Sequence, residues 1–167
     1  EQQVRLLKRW TGQVVVLYDR DEAGQKAAEK ACEMLSAEGV LARVALPPPG
    51  EDPDSLLVMK GAAGVLALLE EAVSPIRHRL MRLDERKKPT DPGYWDEVAE
   101  ALALARTHLE LEEHIAPLAA LVPDAADKSS AMAALRRMAA QAKKRMGAAA
   151  PARPASEAPH LEEEPAL

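Results

Sequence analysis

The sequence has very few aromatic residues and almost no cysteine. Phenylalanine is absent, aromatic residues make up 2% of the 167 positions, and Cys32 is the single cysteine. One cysteine excludes an internal disulfide and a zinc site with several thiolates, and it fits a reducing compartment. With so few aromatic side chains, the interior must consist mainly of Leu, Val, Ala and Met, a composition that favours helices. We expect Cys32 to be a core residue.

Long apolar runs and an amino-terminal targeting signal are also missing. We therefore expect no membrane association and a cytoplasmic location. The chain begins with Glu1 rather than Met, inside a predicted helix, so we expect it to be a piece of a longer protein. The net charge is −5, but from position 148 onward four glutamates stand against one arginine, which leaves the rest of the chain near neutral.

Two apolar segments of strand length flank a helical pattern in the first third of the chain. A short helix before Gly12 precedes a predicted strand at 13–18, and a second predicted strand covers 40–46. Between them, after Asp21, apolar residues recur at helical spacing over about 15 residues. A strand, a helix and a strand at this spacing predict a βαβ unit with parallel strands.

The remainder of the sequence predicts helices only. Asp52 and Pro53 begin a helix that runs to Lys60 and is interrupted by Gly61 and Gly64. We predict further helices at 65–83, with a possible kink at Pro75, and at 94–121 and 127–146. The region 147–167 consists mainly of Ala, Pro and Glu, which predicts a disordered tail or linker. The predicted units are therefore 1–64, 65–146 and 147–167.

Acidic residues follow both predicted strands and are the strongest functional signal. Asp19 and Asp21 come directly after the first strand, and Glu51, Asp52 and Asp54 follow the second. The carboxyl ends of parallel strands lie at one edge of a sheet, so the two groups are expected to converge there. Carboxylates that crowd one another repel unless a cation lies between them, and Mg²⁺ suits one or two carboxylates with waters and phosphates.

Simpler interpretations of these acids remain open. Asp19 or Asp21 could cap the following helix, and Asp52 could cap the next one. An acid pair after an apolar strand is also typical of haloacid-dehalogenase-type phosphatases, in which the first Asp is the nucleophile. That class ranks second, because the Thr or Val that it usually places close behind the second acid is absent here.

Other polar features carry weaker signals. The four histidines, at positions 78, 108, 114 and 160, show no ligand spacing, and we expect surface or tail positions for them. The bases between Arg77 and Lys88 favour a solvated helix face over a nucleic-acid patch, because Asp84 and Glu85 dilute them. The segment around Gly24 and Lys26 lacks the spacing of a phosphate-binding loop.

Two motifs together resemble a known family. The segment 17–28 contains Asp-x-Asp-x-Ala-Gly, and the segment 46–56 contains Glu-Asp-Pro-Asp one βαβ unit later. This combination closely resembles bacterial DnaG-type DNA primase, at the second half of its Toprim domain and the helical subdomain behind it. Weaker similarities at 60–65 and 121–124 extend the resemblance over roughly residues 1 to 146. The expected fold is therefore α/β, a partial Toprim βαβ unit with parallel strands, followed by an all-helical subdomain and a disordered tail.

The resemblance implies an enzyme that synthesises short RNA primers on single-stranded DNA from ribonucleoside triphosphates. It implies that Asp19 and Asp21 bind Mg²⁺ for the incoming nucleotide, and that Asp52 and Asp54 help to form a second metal position. It also implies a replicative helicase as partner, and a zinc site that belongs to a domain preceding this region.

The chain departs from the family pattern in ways that affect function. Arg20 stands between the two acids where glycine is common, so it could contact a phosphate or crowd the site. The family's catalytic Glu motif and basic nucleotide-binding residues also precede this region. We therefore expect the parent protein, and not this chain alone, to make primers. A hypothesis of another class is a non-catalytic module that docks to a replication partner.

Overall fold

The computed structural model describes residues 2–149. Its first part is a βαβ unit that follows a short helix, in the order α1 Gln2–Trp10, β1 Gln13–Leu17, α2 Glu22–Ala37 and β2 Leu41–Ala45. The two strands pair in parallel, in a register that runs from Gln13 opposite Leu41 to Leu17 opposite Ala45. The predicted βαβ unit is confirmed, with strand ends one residue inside the predicted limits at the acid edge. β1 therefore ends just before Asp19, whereas the segment 46–50 separates β2 from Glu51.

The second part is helical. Its elements are α3 Pro53–Glu70, α4 Pro75–Arg86, α5 Tyr94–Leu102, α6 His108–Leu118, a 3₁₀ turn Ala119–Leu121 and α7 Lys128–Ala149. The helix α7 extends three residues past the predicted limit of 146, so the first residues assigned to the tail are helical. The remainder of the predicted tail, 150–167, lies outside the described residues.

The single helix predicted at 65–83 is wrong, because the chain forms two helices there. Helix α3 ends at Glu70, and Val73 then pairs with Val44 in an antiparallel bridge. Helix α4 starts afresh at Pro75, with the Ser74 hydroxyl accepting the Arg77 N–H at 3.1 Å. Proline lacks a backbone N–H, so it begins a helix more readily than it continues one.

The predicted interruption of α3 occurs at one glycine and not at two. Gly61 has φ 63° and ψ −171°, a backbone conformation that essentially only glycine adopts, and the helix is kinked there. Gly64 is helical, and a Cβ at this position would lie 2.3 Å from the Cβ of Lys60. Its role is therefore to leave room for the lysine side chain behind the kink.

The helix predicted at 94–121 is also wrong, since it is divided into α5 and α6. Helix α5 ends at Leu102, and the buried Ala105 lies in the short connection. Helix α6 begins after Thr107, whose hydroxyl accepts the Glu110 N–H at 3.1 Å. The apolar pattern continues across the connection between the helices. The N-cap at Thr107 and the burial of Ala105 nevertheless divide the segment into two helices.

Two large hydrophobic clusters form most of the core of the described residues, and a small third one joins Ala99 and Ala103 to Ala142 of α7. One surrounds the sheet and includes Val16, Val44, Leu35 and Cys32, which is 5% exposed, so the prediction for the cysteine is confirmed. The other lies among the helices and consists of residues from α4 to α7. Helix α4 contributes apolar residues to this second cluster while it also contacts α2 and β2. It therefore joins the βαβ unit to the helical part.

Within residues 2–149, no helix has the length and apolar character needed to cross a membrane.

Candidate metal-binding site

The carboxyl ends of β1 and β2 open onto one acidic cleft. Asp19, Asp21, Glu51 and Asp52 line it, together with Arg20, and its volume is about 520 Å³. The structure thus brings acids from both groups to one sheet edge. Asp54 does not line this cleft, because it lies in the exposed first turn of α3. Glu51 lines it and also forms an ion pair with Lys60 at 3.1 Å.

Two of these acids are also helix caps. Asp21 precedes α2 and accepts the Gly24 N–H at 2.6 Å through Oδ1. Asp52 precedes α3 in a capping box, with its Oδ1 accepting the Ser55 N–H at 2.7 Å. That backbone N–H lowers the pKa of Asp52 below its ordinary value and so favours the charged carboxylate. In each bond the N–H is held by Oδ1, and a carboxylate has a second oxygen that can bind another group.

The main chain of Asp19 is held by contacts from α2. The Gln25 side chain donates from Nε2 to the Asp19 carbonyl oxygen at 2.8 Å. Gly24 lies so close that a Cβ there would stand 2.3 Å from the same oxygen. The glycine of the Asp-x-Asp-x-Ala-Gly motif is therefore required by the close approach of the Asp19 backbone.

A buried histidine on α4 completes this arrangement. His78 is 1% exposed, and its Nε2 lies 2.7 Å from Oε1 of Gln25. The surface position predicted for this histidine is wrong. An amide oxygen can only accept, so this contact requires the hydrogen on Nε2 of His78. Burial lowers the pKa of His78, which favours the neutral ring. For Gln25 the sequence holds a signal, because this polar residue lies three positions before Ala28 on the buried face of α2. His78 lies two positions from Ile76 and from Leu80, away from the face of α4 that packs among the helices, so no apolar pattern marks it.

Arg20, between the two acids, is held at the rim of the cleft. Its guanidinium donates to the carbonyl of Pro47 at 3.2 Å and to Glu85 at 2.8 Å. One guanidinium nitrogen binds Glu85 and the other binds the carbonyl of Pro47, so both contacts fix the direction of the side chain. In this structure Arg20 therefore links β1 to α4 and the segment after β2.

The prediction of a solvated basic face on α4 is wrong for two of its arginines. Arg82 bridges Glu22 and Glu29 of α2, and Arg79 contacts Glu29 and Glu33. The side chains of Arg79 and Arg82 are only 20% and 12% exposed. These bases therefore join two helices of the chain.

The residues of the cleft fit magnesium as a donor set. They are hard carboxylate oxygens in an open position, and Mg²⁺ commonly binds through one or two carboxylates while it keeps several waters. Across the described part of the chain, no three His, Cys, Asp or Glu side chains cluster as a complete metal centre. The described acids therefore fit a partial ligand set that waters, phosphate oxygens or further protein groups would complete.

Comparison with known proteins identifies relatives for both parts of the chain. Residues 2–63 match the model of the Toprim domain. A DNA primase of Clostridium acetobutylicum is 37% identical over 83 residues, which are 50% of this chain and 14% of that protein. A DNA primase of Lactococcus lactis is 32% identical over 124 residues, which are 74% of this chain and 17% of that protein.

A solved structure shows the same fold. A DNA primase domain from Pseudomonas aeruginosa superposes with a TM-score of 0.56 at 20% identity, covering 83% of this chain and 44% of that one. The α/β fold with a following helical part is therefore that of a primase domain. The resemblance to bacterial DnaG-type primases is confirmed, and the Toprim match fits a metal-dependent enzyme. The chain spans less than a fifth of the length of these two curated relatives.

Proposed function

We propose that this chain is part of the catalytic core of a DNA primase, which makes short RNA primers on single-stranded DNA by nucleotidyl transfer. The observation that carries the proposal is the acidic cleft at the sheet edge, formed by residues that lie inside the Toprim match. Relatives named DNA primase, one of which aligns over three quarters of the chain, support the same activity.

In this proposal Asp19 and Asp21 hold Mg²⁺ for the incoming ribonucleoside triphosphate, and Asp52 and Asp54 help to form a second metal position. Bound there, two Mg²⁺ ions would stabilise charge on the attacking 3′-oxygen and on the departing pyrophosphate. Asp21 and Asp52 are suited to this role because capping by backbone N–H groups fixes both carboxylates. Asp54 would act from the first turn of α3, outside the cleft lining.

The proposed activity belongs to the parent protein. The described acids form a partial ligand set, so we propose that further groups of the parent complete the site. A zinc-binding domain is expected in the parent outside this chain. The resemblance also favours a replicative helicase as partner and the bacterial cytoplasm as location.

Metal binding to variants at the cleft tests the proposal. The double variant Asp19→Asn, Asp21→Asn removes both charges while asparagine still caps α2, because asparagine and aspartate cap equally well. Calorimetry with Mg²⁺ and Mn²⁺ should show binding to the wild type that the variant loses. The matched control is Glu100→Gln, Glu113→Gln, which removes two exposed acids in the helical part.

Binding that persists unchanged in the cleft variant would contradict the assigned ligands. Primer synthesis by the 167 residues alone, with single-stranded DNA, nucleotides and Mg²⁺, would contradict the requirement for further groups. A non-catalytic docking module predicts that the wild type and both double variants behave alike.

The phosphatase alternative is not favoured, because the relatives are DNA primases. It requires an aspartyl-phosphate at Asp19, so it would be abandoned if neither a phosphoester nor a beryllofluoride mimic formed an adduct at that carboxylate.

A further inference from the structure

A chain of two hydrogen bonds runs from helix α4 to the main chain of the acid edge. His78 Nε2 lies 2.7 Å from Gln25 Oε1, and Gln25 Nε2 lies 2.8 Å from the carbonyl oxygen of Asp19. The amide of Gln25 therefore accepts a hydrogen bond through its oxygen and donates another through its nitrogen. This assignment requires the tautomer of His78 in which Nε2 carries the hydrogen.

Both side chains in this link are deeply buried. Gln25 is 5% exposed and His78 is 1% exposed. Replacing a buried hydrogen-bonded pair with apolar groups of the same shape can be nearly neutral for stability. Core packing alone therefore does not require polar residues at these positions, whereas a fixed direction for the Asp19 carbonyl does.

Other contacts hold the same few backbone atoms. The close approach of Gly24 lets α2 begin directly beside Asp19, and the Asp21 carboxylate accepts the Gly24 N–H. The Gln25 N–H also donates to the Asp21 carbonyl at 3.0 Å. The turn from Asp19 to Gln25 is thus tied at Asp19 and at Asp21. The Gln25–His78 bond is its buried link to α4, beside the more exposed ion pairs of Arg20 with Glu85 and of Glu22 with Arg82.

We propose that Gln25 and His78 are positioning residues, which fix the main chain of Asp19 so that its carboxylate faces the metal position. The inference rests on the proposed function, since it assigns Asp19 as a metal ligand. It goes further, because it assigns helix α4 of the helical part a role in supporting the metal-binding site. Groups that orient metal ligands typically change metal affinity by about 10-fold to 100-fold when they are removed.

The charged groups around His78 come from the same two helices. Glu29 of α2 and Arg79, Arg82 and Glu85 of α4 act on it electrostatically. Because Arg79 and Arg82 also bind glutamates of α2, the two helices are held in register around the Gln25–His78 bond. The ion pairs therefore bring α4 to the position from which His78 reaches Gln25.

Three variants of the full chain separate positioning from packing. His78→Leu removes the donor while it keeps an apolar side chain in the cavity, and His78→Gln retains an amide N–H near the position of Nε2. Ile76→Val trims a fully buried side chain two residues away on the same helix without touching the link. Each variant is measured by amide hydrogen exchange at Gly24 and Gln25 and by calorimetric titration with Mn²⁺.

The expected result is specific to the donor. His78→Leu should raise exchange at the amides of Gly24 and Gln25 and weaken Mn²⁺ binding about 10-fold. His78→Gln should restore both measurements towards the wild type, and Ile76→Val should leave both unchanged.

Opposite results would overturn the inference in distinguishable ways. If His78→Leu matches Ile76→Val in exchange at Gly24 and Gln25, these residues do not position the turn. If exchange rises but Mn²⁺ affinity is unchanged, the link does not serve the metal site. Failure of the wild type to bind Mn²⁺ at all would instead refute the role of Asp19 as a metal ligand of this chain, the part of the proposed function on which the inference rests.

Discussion

Replacing Gly24 with alanine tests the close contact between α2 and the acid edge. The new Cβ would lie 2.3 Å from the Asp19 carbonyl oxygen and 3.0 Å from the carbonyl carbon. Ordinary contact begins near 3.4 Å, so the two backbones would have to separate by about 1 Å. The obstructing atoms belong to the main chain, so no side-chain rotation can relieve the overlap.

The magnitude follows from two opposing effects. Overpacking of this kind costs about 1–3 kcal/mol of the free energy of unfolding. Alanine offsets up to about 1 kcal/mol of this loss, because it favours a helix more than glycine does. With the full offset, we therefore expect Gly24→Ala to be up to about 2 kcal/mol less stable than the wild type. For a chain of this size each kcal/mol lowers Tm by about 2–4 °C.

Thermal and urea unfolding followed by circular dichroism measure this loss. The matched control is Gly147→Ala on α7, where a Cβ has no heavy atom within 4 Å. The control should be as stable as the wild type or up to about 1 kcal/mol more stable. If Gly24→Ala proved as stable as this control, the reasoning about the contact with Asp19 would be refuted.

Two other predictions concern buried polar groups. Burial lowers the folded-state pKa of His78 and His114 below 6.5, so the unfolded chain binds more protons as pH falls beneath that value. The contribution of these histidines to the free energy of unfolding should thus be fully present above pH 6.5 and be lost as pH falls below it, and the loss should be smaller in His78→Gln. Urea unfolding at several pH values measures this, and an equal pH dependence of the unfolding free energy in the wild type and the variant would contradict it. The Tyr94 hydroxyl donates to Asp84 at 2.8 Å, and burial together with this carboxylate raises the pKa of Tyr94 to about 12. Tyr94→Phe should lose about 1 kcal/mol of stability, since exposed Asp84 can bind water instead, and an unfolding free energy equal to that of the wild type would argue against the bond.

Local signals in the sequence accounted for the framework of the site. The apolar runs that end before Asp19 and Pro47 predicted two parallel strands. This was possible because each run, and the helical pattern between the two runs, depends only on residues that are close in sequence. The caps at Asp21 and Asp52 were also foreseeable, since an N-cap depends on the residues that follow within one turn.

Helix boundaries further along the chain were decided by competition between local and tertiary effects. Apolar residues at helical spacing continue across Ser74 and across Ala105, and they predicted longer helices than the structure contains. At the first site Val73 pairs with Val44 in the sheet region, and at the second Ala105 is buried among the helices. Periodicity cannot register such contacts, because their partners are distant in sequence.

The sequence by itself determined which chemistry this protein carries at the ends of its strands: carboxylates at Asp19, Asp21 and Asp52, placed by the parallel βαβ unit at one edge. Only the tertiary structure decided how that edge is supported. His78 and Gln25 are 53 positions apart and meet inside the fold. Their pairing depends on how α4 lies against α2, a long-range arrangement that no local pattern contains.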